Sequence, residues 1–222
     1  MKSKSQHWTT RYIYNRIIQE INCRRNPSLP WLTRQSIQLL EQLLKPDDIG
    51  FEWGAGRSTL WLAECTKQLS SIESNHTWYE QTQQKLLSKA LTNVQLEHHD
   101  ISNLDRAQSG QTSRKQDEYL SYVQTITQYA DNSFDYILID GYIRDYCTVY
   151  GCTKLKSGGL LILDNANWFL PVPDWITTPS SRSQLNGPIS HRWAEIEQEI
   201  NTWRRIWTSD GVTCTLILFK PY

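Results

Sequence analysis

What the chain most plainly lacks is charge of one sign: 23 basic residues face 23 acidic ones, at an isoelectric point near 6.9. No chain-wide positive field exists to hold a phosphate backbone, so nucleic acid is not an expected partner. Long apolar runs are missing too. The longest, such as Leu160 to Leu163, fall far short of the ~20 residues that cross a bilayer, and the opening MKSKSQHWTTRY has no apolar leader segment. No membrane partner is expected. Cysteine is sparse: Cys23, Cys65, Cys147, Cys152 and Cys214 are odd in number, scattered, and form no CxxC or Cys/His cluster. That pattern excludes a zinc site or a disulfide framework and gives the expectation of free thiols in a reducing cytoplasm. No heptad seam is present from which an oligomeric state could be read.

Methionine (1) and phenylalanine (4) are scarce, whereas tryptophan (10) and tyrosine (11) are plentiful. The aromatic mass is therefore weighted toward rings with a polar handle. With 222 residues, 39% of them apolar, one core of useful size is available. Lys2, Lys4, Arg11, Arg16, Arg24 and Arg25 stand near the start against Glu20 alone, which reads either as a solvated arm or as an anion-binding one.

Residues 8–25 read as an amphipathic helix through Tyr12, Ile13, Ile17, Ile18 and Ile21, ended by Pro27 and Pro30. A second helix opens at Thr33 and runs Ile37, Leu40 and Leu44 to Pro46. Residues 1–46 are thus expected to form a helical lead-in, and 47–222 the main domain. From Ile49 strands and helices alternate. Ile49–Trp53, Leu69–Glu73, Val94–Glu97, Phe134–Ile139 and Leu160–Leu163 are the strands, and Thr77 with Glu80 suggests a capping box between the second and third. After Asp164 a loop rich in proline runs to Ser190, which caps a helix bearing Trp193, Ile196, Ile200 and Trp203. Asp210-Gly211 then turns a hairpin. This order predicts an α/β fold, a doubly wound and mostly parallel seven-stranded sheet with an antiparallel C-terminal hairpin, and such sheets bind ligands outside the carboxyl ends of their strands.

Function is therefore sought at those ends. The first strand runs into Glu52-Trp53-Gly54-Ala55-Gly56-Arg57-Ser58-Thr59, where two glycines permit close backbone approach and the following helix offers free N–H groups. Thr59 stands where a dinucleotide fingerprint wants a third glycine, and no Gly-Lys-Ser/Thr is present, so a nicotinamide oxidoreductase is disfavoured. Glu73 ends the second strand, where a carboxylate can accept both hydroxyls of a ribose. Asp100 ends the third and can accept from an exocyclic amine.

Taken together, FEWGAGRSTLWLA, SIES, HHDI, FDYILIDG and LKSGGLLILDN resemble the glycine, ribose, adenine, fourth-strand and fifth-strand motifs of the class I S-adenosylmethionine-dependent methyltransferases. The resemblance covers about Ile49 to Asn165 and continues into the hairpin. It implies a Rossmann-like methyltransferase fold, S-adenosylmethionine as cofactor, and cofactor contacts at Glu52, Gly54, Gly56, Ser58, Thr59, Glu73, Ser74, Asp100, Ile101 and Asp140.

The fourth strand ends in Asp140-Gly141-Tyr142-Ile143, not in the Asp/Asn-Pro-Pro-Tyr/Phe usual in enzymes that methylate base or amide nitrogens. A small-molecule acceptor methylated at oxygen is the expectation. Asp164-Asn165-Ala166-Asn167-Trp168 is similar to the DNxxW of catechol and caffeoyl-CoA O-methyltransferases, and that likeness implies that Asp140, Asp164 and Asn165 could hold Mg²⁺ or another divalent ion. Without a metal, Asp140 or His191 is the candidate catalytic base. Tyr142, Arg144 and Trp168 are candidate acceptor contacts, Arg144 through an acidic group, and Tyr119, Tyr122 and Trp175 are further aromatic candidates. Two other readings stay open: transfer to nitrogen of a small molecule or to a macromolecule, and a non-catalytic regulatory protein that keeps the cofactor fold.

Overall fold

The structure, a computed structural model, describes residues 9–101, 116–178 and 180–222, with the backbone alone for 116–119. Lys2, Lys4, the polar tract 102–115 and the Tyr119 side chain lie outside the described residues. Helices α1 (Thr10–Arg25) and α2 (Arg34–Leu43) precede an alternating series: β1 (Ile49–Trp53), α3 (Arg57–Cys65), β2 (Gln68–Glu73), α4 (His76–Ser88), β3 (Val94–His98), α5 (Gln116–Gln124), β4 (Phe134–Ile139), α6 (Arg144–Lys154) and β5 (Leu155–Asp164). Helix α7 (His191–Ile200) and the hairpin β6 (Arg204–Ser209) and β7 (Cys214–Phe219) close the chain. The seven strands form one sheet in the order β3-β2-β1-β4-β5-β7-β6. Pairs among β1 to β5 are parallel, and β7 runs antiparallel to both β5 and β6.

The apolar runs are continuous because the central strands are covered on both faces. Ile137 and Ile139 of β4 and Leu161 and Leu163 of β5 join Tyr122, Cys147, Trp193 and Ile196 from α5, α6 and α7. The alternate residues Tyr136, Leu138, Leu160 and Ile162 meet Ile37 and Leu40 of α2 and Trp61 and Leu62 of α3. The loop after β5 carries 3₁₀ turns at Ala166–Trp168 and Gln184–Asn186, and its Val172 and Ile176 pack on Cys214. Helix α4 starts earlier than the Thr77/Glu80 pattern predicts: Asn75 is the cap, its Oδ1 accepting from Trp78 N at 3.0 Å. Thr33 and Ser190 cap α2 and α7 as their sequence predicts.

The two leading helices behave differently. Ile37 and Leu40 are buried in a sheet face, so α2 belongs to the core layer. Helix α1 forms as its spacing predicts, yet it buries no residue, and Ile13, Tyr14, Ile17, Ile18 and Ile21 are exposed. Polar contacts hold it: Gln19 Nε2 donates to Asp210 Oδ2 at 2.9 Å and Arg57 Nη1 to the Cys23 carbonyl at 3.2 Å. Among the described residues no helix is long and apolar enough to cross a membrane.

Because Leu40 has no exposed surface, Leu40→Ala should cost about 3 kcal/mol, read by chemical denaturation with an unchanged m-value. A loss below about 1 kcal/mol would return α2 to the status of a peripheral lead-in.

Candidate active site

The glycine turn after β1 is shaped by contacts that only particular residues allow. Gly54 has φ +97°, and a Cβ there would stand 2.6 Å from the Gly141 nitrogen, so backbone after β1 and backbone after β4 touch. A Cβ on Gly56 would meet no protein atom within 4 Å; its α-carbon faces open cavity. Thr59, at the place of a third glycine, accepts from Gly56 N at 2.9 Å and donates to Glu52 Oε2 at 2.6 Å. Ser71 donates to the same oxygen at 2.6 Å. Glu52 and Thr59 have no exposed surface, and among the described residues Glu52 Oε1 has no hydrogen-bond partner. Burial pushes the Glu52 carboxyl from its ordinary 4.5 up to about 7, against the pull of the Ser58, Ser71 and Thr59 hydroxyls.

Glu73 at the end of β2 is fixed by its own turn, Oε1 accepting from Ser74 N at 2.9 Å and Asn75 N at 2.6 Å. At the ends of β4 and β5 a single guanidinium joins the strands. Arg144 Nε donates to the Gly141 carbonyl at 2.9 Å, Nη2 to the Asp140 carbonyl at 2.7 Å and to Asp140 Oδ1 at 2.9 Å, and Nη1 to the Asp164 carbonyl. Asp164 Oδ1 accepts from Thr215 Oγ1 at 2.9 Å and Oδ2 from the Asn165 amide. Burial raises both carboxyls, Asp164 further because the Asp140 charge faces it, and Arg144 pulls both down. Two residues flanking this cluster, Ile143 and Asn165, are left-handed at φ 52°. For β-branched Ile143 that is a strained conformation, of the kind that collects at functional sites.

Two adjoining cavities open over these strand ends. The inner one, about 490 Å³, is lined by Gly54 to Ser58, Glu73 to Asn75, Trp78, Asp140 to Tyr142, Arg144, Asn165 and the ring of Trp168. The outer one, about 780 Å³, lies beneath α1, between Arg16, Gln19 and Cys23 and the floor of Asp140, Asp164 and Asn165. Trp31, Arg57, Asp140, Asn165 and Trp168 line both and so mark the passage between them. Trp31 meets Trp78 edge to face at 5.5 Å.

Several residues singled out in the sequence stand elsewhere. Glu52 and Thr59 lie behind the glycine turn and line neither cavity; they brace the loop instead. Asp100 and Ile101 follow β3, which ends at His98, and are not among the residues lining the inner cavity. His191 lines neither cavity, its side chain 90% exposed on the first turn of α7 beside Glu195 at 3.3 Å. That corrects its candidacy as a base. Arg144 is buried and its guanidinium is engaged by backbone and Asp140, so here it braces the strand ends instead of standing free for an acidic substrate group. Tyr122 is core, and Trp175 lines neither cavity. Trp31, Arg57 and Trp78 were missed; the signals available were an aromatic beside Pro30 and an arginine inside the glycine motif.

Asp140, Asp164 and Asn165 do come together, yet the donor set does not fit a divalent ion. Arg144 already supplies the positive charge at Asp140, and a dication beside a buried guanidinium would meet direct repulsion. Asn165 turns its amide nitrogen, not its ligating oxygen, toward Asp164 Oδ2 and toward Thr213 Oγ1 at 2.8 Å. Among the described residues no group of three or more His, Cys, Asp or Glu could hold a metal.

No protein-family model matches the sequence, and no curated protein matches it. Solved structures match it in shape. A Staphylococcus aureus protein described as a caffeoyl-CoA O-methyltransferase superposes with a TM-score of 0.54 at 15% identity, over 96% of this chain and 94% of its own. An rRNA methylase from Streptococcus thermophilus gives 0.52 at 11%, over 85% and 95%. A Streptococcus mutans protein described as a methyltransferase and solved with SAH gives 0.53 at 14%, over 84% and 96%. The chain has the Rossmann-like methyltransferase fold. At such identities the likeness is one of fold, and the neighbours' acceptors differ among themselves.

The raised Glu52 carboxyl has a consequence for stability. Unfolded, it ionises above about 4.5; folded, it keeps its proton to about 7. The folded state binds the extra proton between those values, so stability falls as pH rises across that window. In Glu52→Gln that component is gone, and the stability of the variant relative to the parent should climb by up to about 3 kcal/mol from pH 5 to pH 8. Parallel pH curves for the two proteins would show that Glu52 does not titrate in this range.

Proposed function

We propose that the chain is an S-adenosylmethionine-dependent methyltransferase whose acceptor is a small molecule methylated at oxygen. The observation that carries this reading is the inner cavity, where the Glu73 carboxylate and the open face of Gly56 meet across a space that ends at Asp140. A carboxylate that lines a cavity and has its Oε1 fixed by two backbone N–H groups suits a ribose diol, and an uncrowded glycine suits a ligand lying against the main chain. Bound there, S-adenosylmethionine supplies a methyl group already activated on a sulfonium.

The chain's own part is proximity and proton removal. Asp140 lines both cavities, so it suits the role of accepting the proton of an acceptor hydroxyl as the methyl group arrives. Its raised carboxyl is a stronger base than an exposed one, and Arg144 holds it in orientation. Trp31 and Trp168 at the passage would shield the reacting atoms from water. The DNxxW segment and the balanced charge of the chain support a small acceptor over nucleic acid, and the five free cysteines support work in a reducing cytoplasm.

Calorimetry on Glu73→Ala should show S-adenosylmethionine binding weakened at least tenfold, the loss expected for a charge-assisted hydrogen bond; unchanged affinity would remove the cofactor assignment. A labelled-methyl assay on fractionated cell extract should find transfer that persists with a chelator. Its rate should fall on the acid side of a limb lying above the ordinary carboxyl value, because protonated Asp140 cannot accept a further proton. Asp140→Asn should lower the rate by about 10² or more and abolish that limb.

A further inference from the structure

The outer cavity carries an imbalance that the neutral chain as a whole does not. Each carboxylate lining it is answered. Glu20 pairs with Arg24 at 3.0 Å, Asp140 with Arg144 at 2.9 Å, and Asp164 takes the Thr215 hydroxyl and the Asn165 amide. Arg16 and Arg57 line the same cavity and are not answered. Arg16 Nη1 donates to the neutral Gln19 Oε1 at 2.9 Å. Arg57 Nη1 donates to the Cys23 carbonyl at 3.2 Å, and its guanidinium lies over Trp31 at 5.2 Å. Among the described residues neither forms an ion pair.

We propose that the outer cavity holds the acceptor by an anionic group, a carboxylate or a phosphate, at Arg16 and Arg57, with a planar body between Trp31 and Trp168; this rests on the methyl-transfer reading above. Guanidinium groups match both anions in geometry and stay charged at every working pH. A recess with two uncompensated cations concentrates anions. Trp31 and Trp168 are large, partly exposed rings, and surfaces of that kind bind flat molecules. The acceptor would then lie with its anionic end toward α1 and its reacting hydroxyl toward Asp140, at the passage into the inner cavity.

Arg57 also lines the inner cavity, whereas Arg16 does not, and the test uses that difference. Calorimetry with S-adenosylhomocysteine is run on the full chain and on Arg16→Gln, Arg57→Gln and Arg57→Lys. Tryptophan fluorescence is then titrated with 4-hydroxybenzoate, phenyl phosphate and the neutral 4-hydroxybenzyl alcohol, with and without saturating S-adenosylhomocysteine. The expected result is at least tenfold tighter binding of one or both anions than of the alcohol, weakened at least fivefold in Arg16→Gln and in Arg57→Gln and largely restored in Arg57→Lys. Arg16→Gln, on an exposed position of α1, should leave S-adenosylhomocysteine affinity unchanged. The contrast between the two anions identifies which one the cavity prefers. Equal binding of the neutral alcohol, no anion binding by a protein that does bind S-adenosylhomocysteine, or an Arg57 effect confined to S-adenosylhomocysteine would each overturn the proposal while leaving the methyl-transfer reading intact. Anion binding through both arginines in a protein that binds no S-adenosylhomocysteine would overturn the acceptor assignment and the methyl-transfer reading together.

Discussion

The guanidinium of Arg144 is the contact on which the rest of the site depends. Parallel strands end without a partner for their last carbonyls, and buried carbonyls without donors are costly. Arg144 answers three of them, on Asp140, Gly141 and Asp164, and adds an ion pair with the Asp140 carboxylate. It thereby fixes the ends of β4 and β5 relative to each other and sets the floor of both cavities. The strained φ of Ile143, at the start of the same helix, is sustained because the residues around it are over-determined by this one side chain. The clamp also decides an electrostatic question. Two carboxylates, Asp140 and Asp164, stand side by side with one fixed monocation between the strands. They relieve their repulsion by raised proton affinity. A second cation has neither room in charge nor free ligands there.

A second brace lies behind the glycine turn. Glu52 sits beneath the start of α3 and gathers Thr59 and Ser71 about one carboxylate oxygen. Thr59 in turn takes the Gly56 N–H, a group that would otherwise be an orphan at the start of a helix capped by glycine. Thr59 thus substitutes a hydrogen bond for the close helix–strand approach that a third glycine would permit. Its cost is a buried carboxyl with one oxygen unpartnered, a cost lowered by retaining a proton.

The order and type of the elements were legible from the sequence because the strand and turn signals agreed, whereas boundaries such as the caps of α4 and the start of β5 were not. Phe134 to Ile139 could only be a strand buried on both faces, and Asp210-Gly211 could only turn a hairpin; Asp210 Oδ1 takes the Val212 and Thr213 N–H groups at 2.9 Å as such a turn requires. The site was legible where function follows the backbone, as at Gly54, Gly56 and Glu73. It was less so where long side chains choose between neighbours. Arg144 reads the same in sequence whether it reaches outward to a substrate or inward to strand ends, and only the left-handed turn at Ile143 directs it inward. The place of His191 depended on the path of a loop whose course is set by Val172, Ile176 and Cys214, a packing that no local pattern announces.

Helix α1 inverts the usual rule, and that inversion bears on the acceptor. A helix that turned its isoleucines inward would bury them against the strand ends and fill the outer cavity with apolar groups. Here Gln19 and Cys23 face inward with Arg16 beside them, while Ile13, Ile17 and Ile21 face water. The fold forgoes the burial of those side chains, each worth about 1.5 to 3 kcal/mol, and holds α1 by Gln19 to Asp210 and by Arg57 to Cys23. An element attached by so few polar contacts contributes little to the stability of the core. The same polar inner face that weakens the attachment of α1 gives the cavity Arg16, to which the start of α3 adds Arg57.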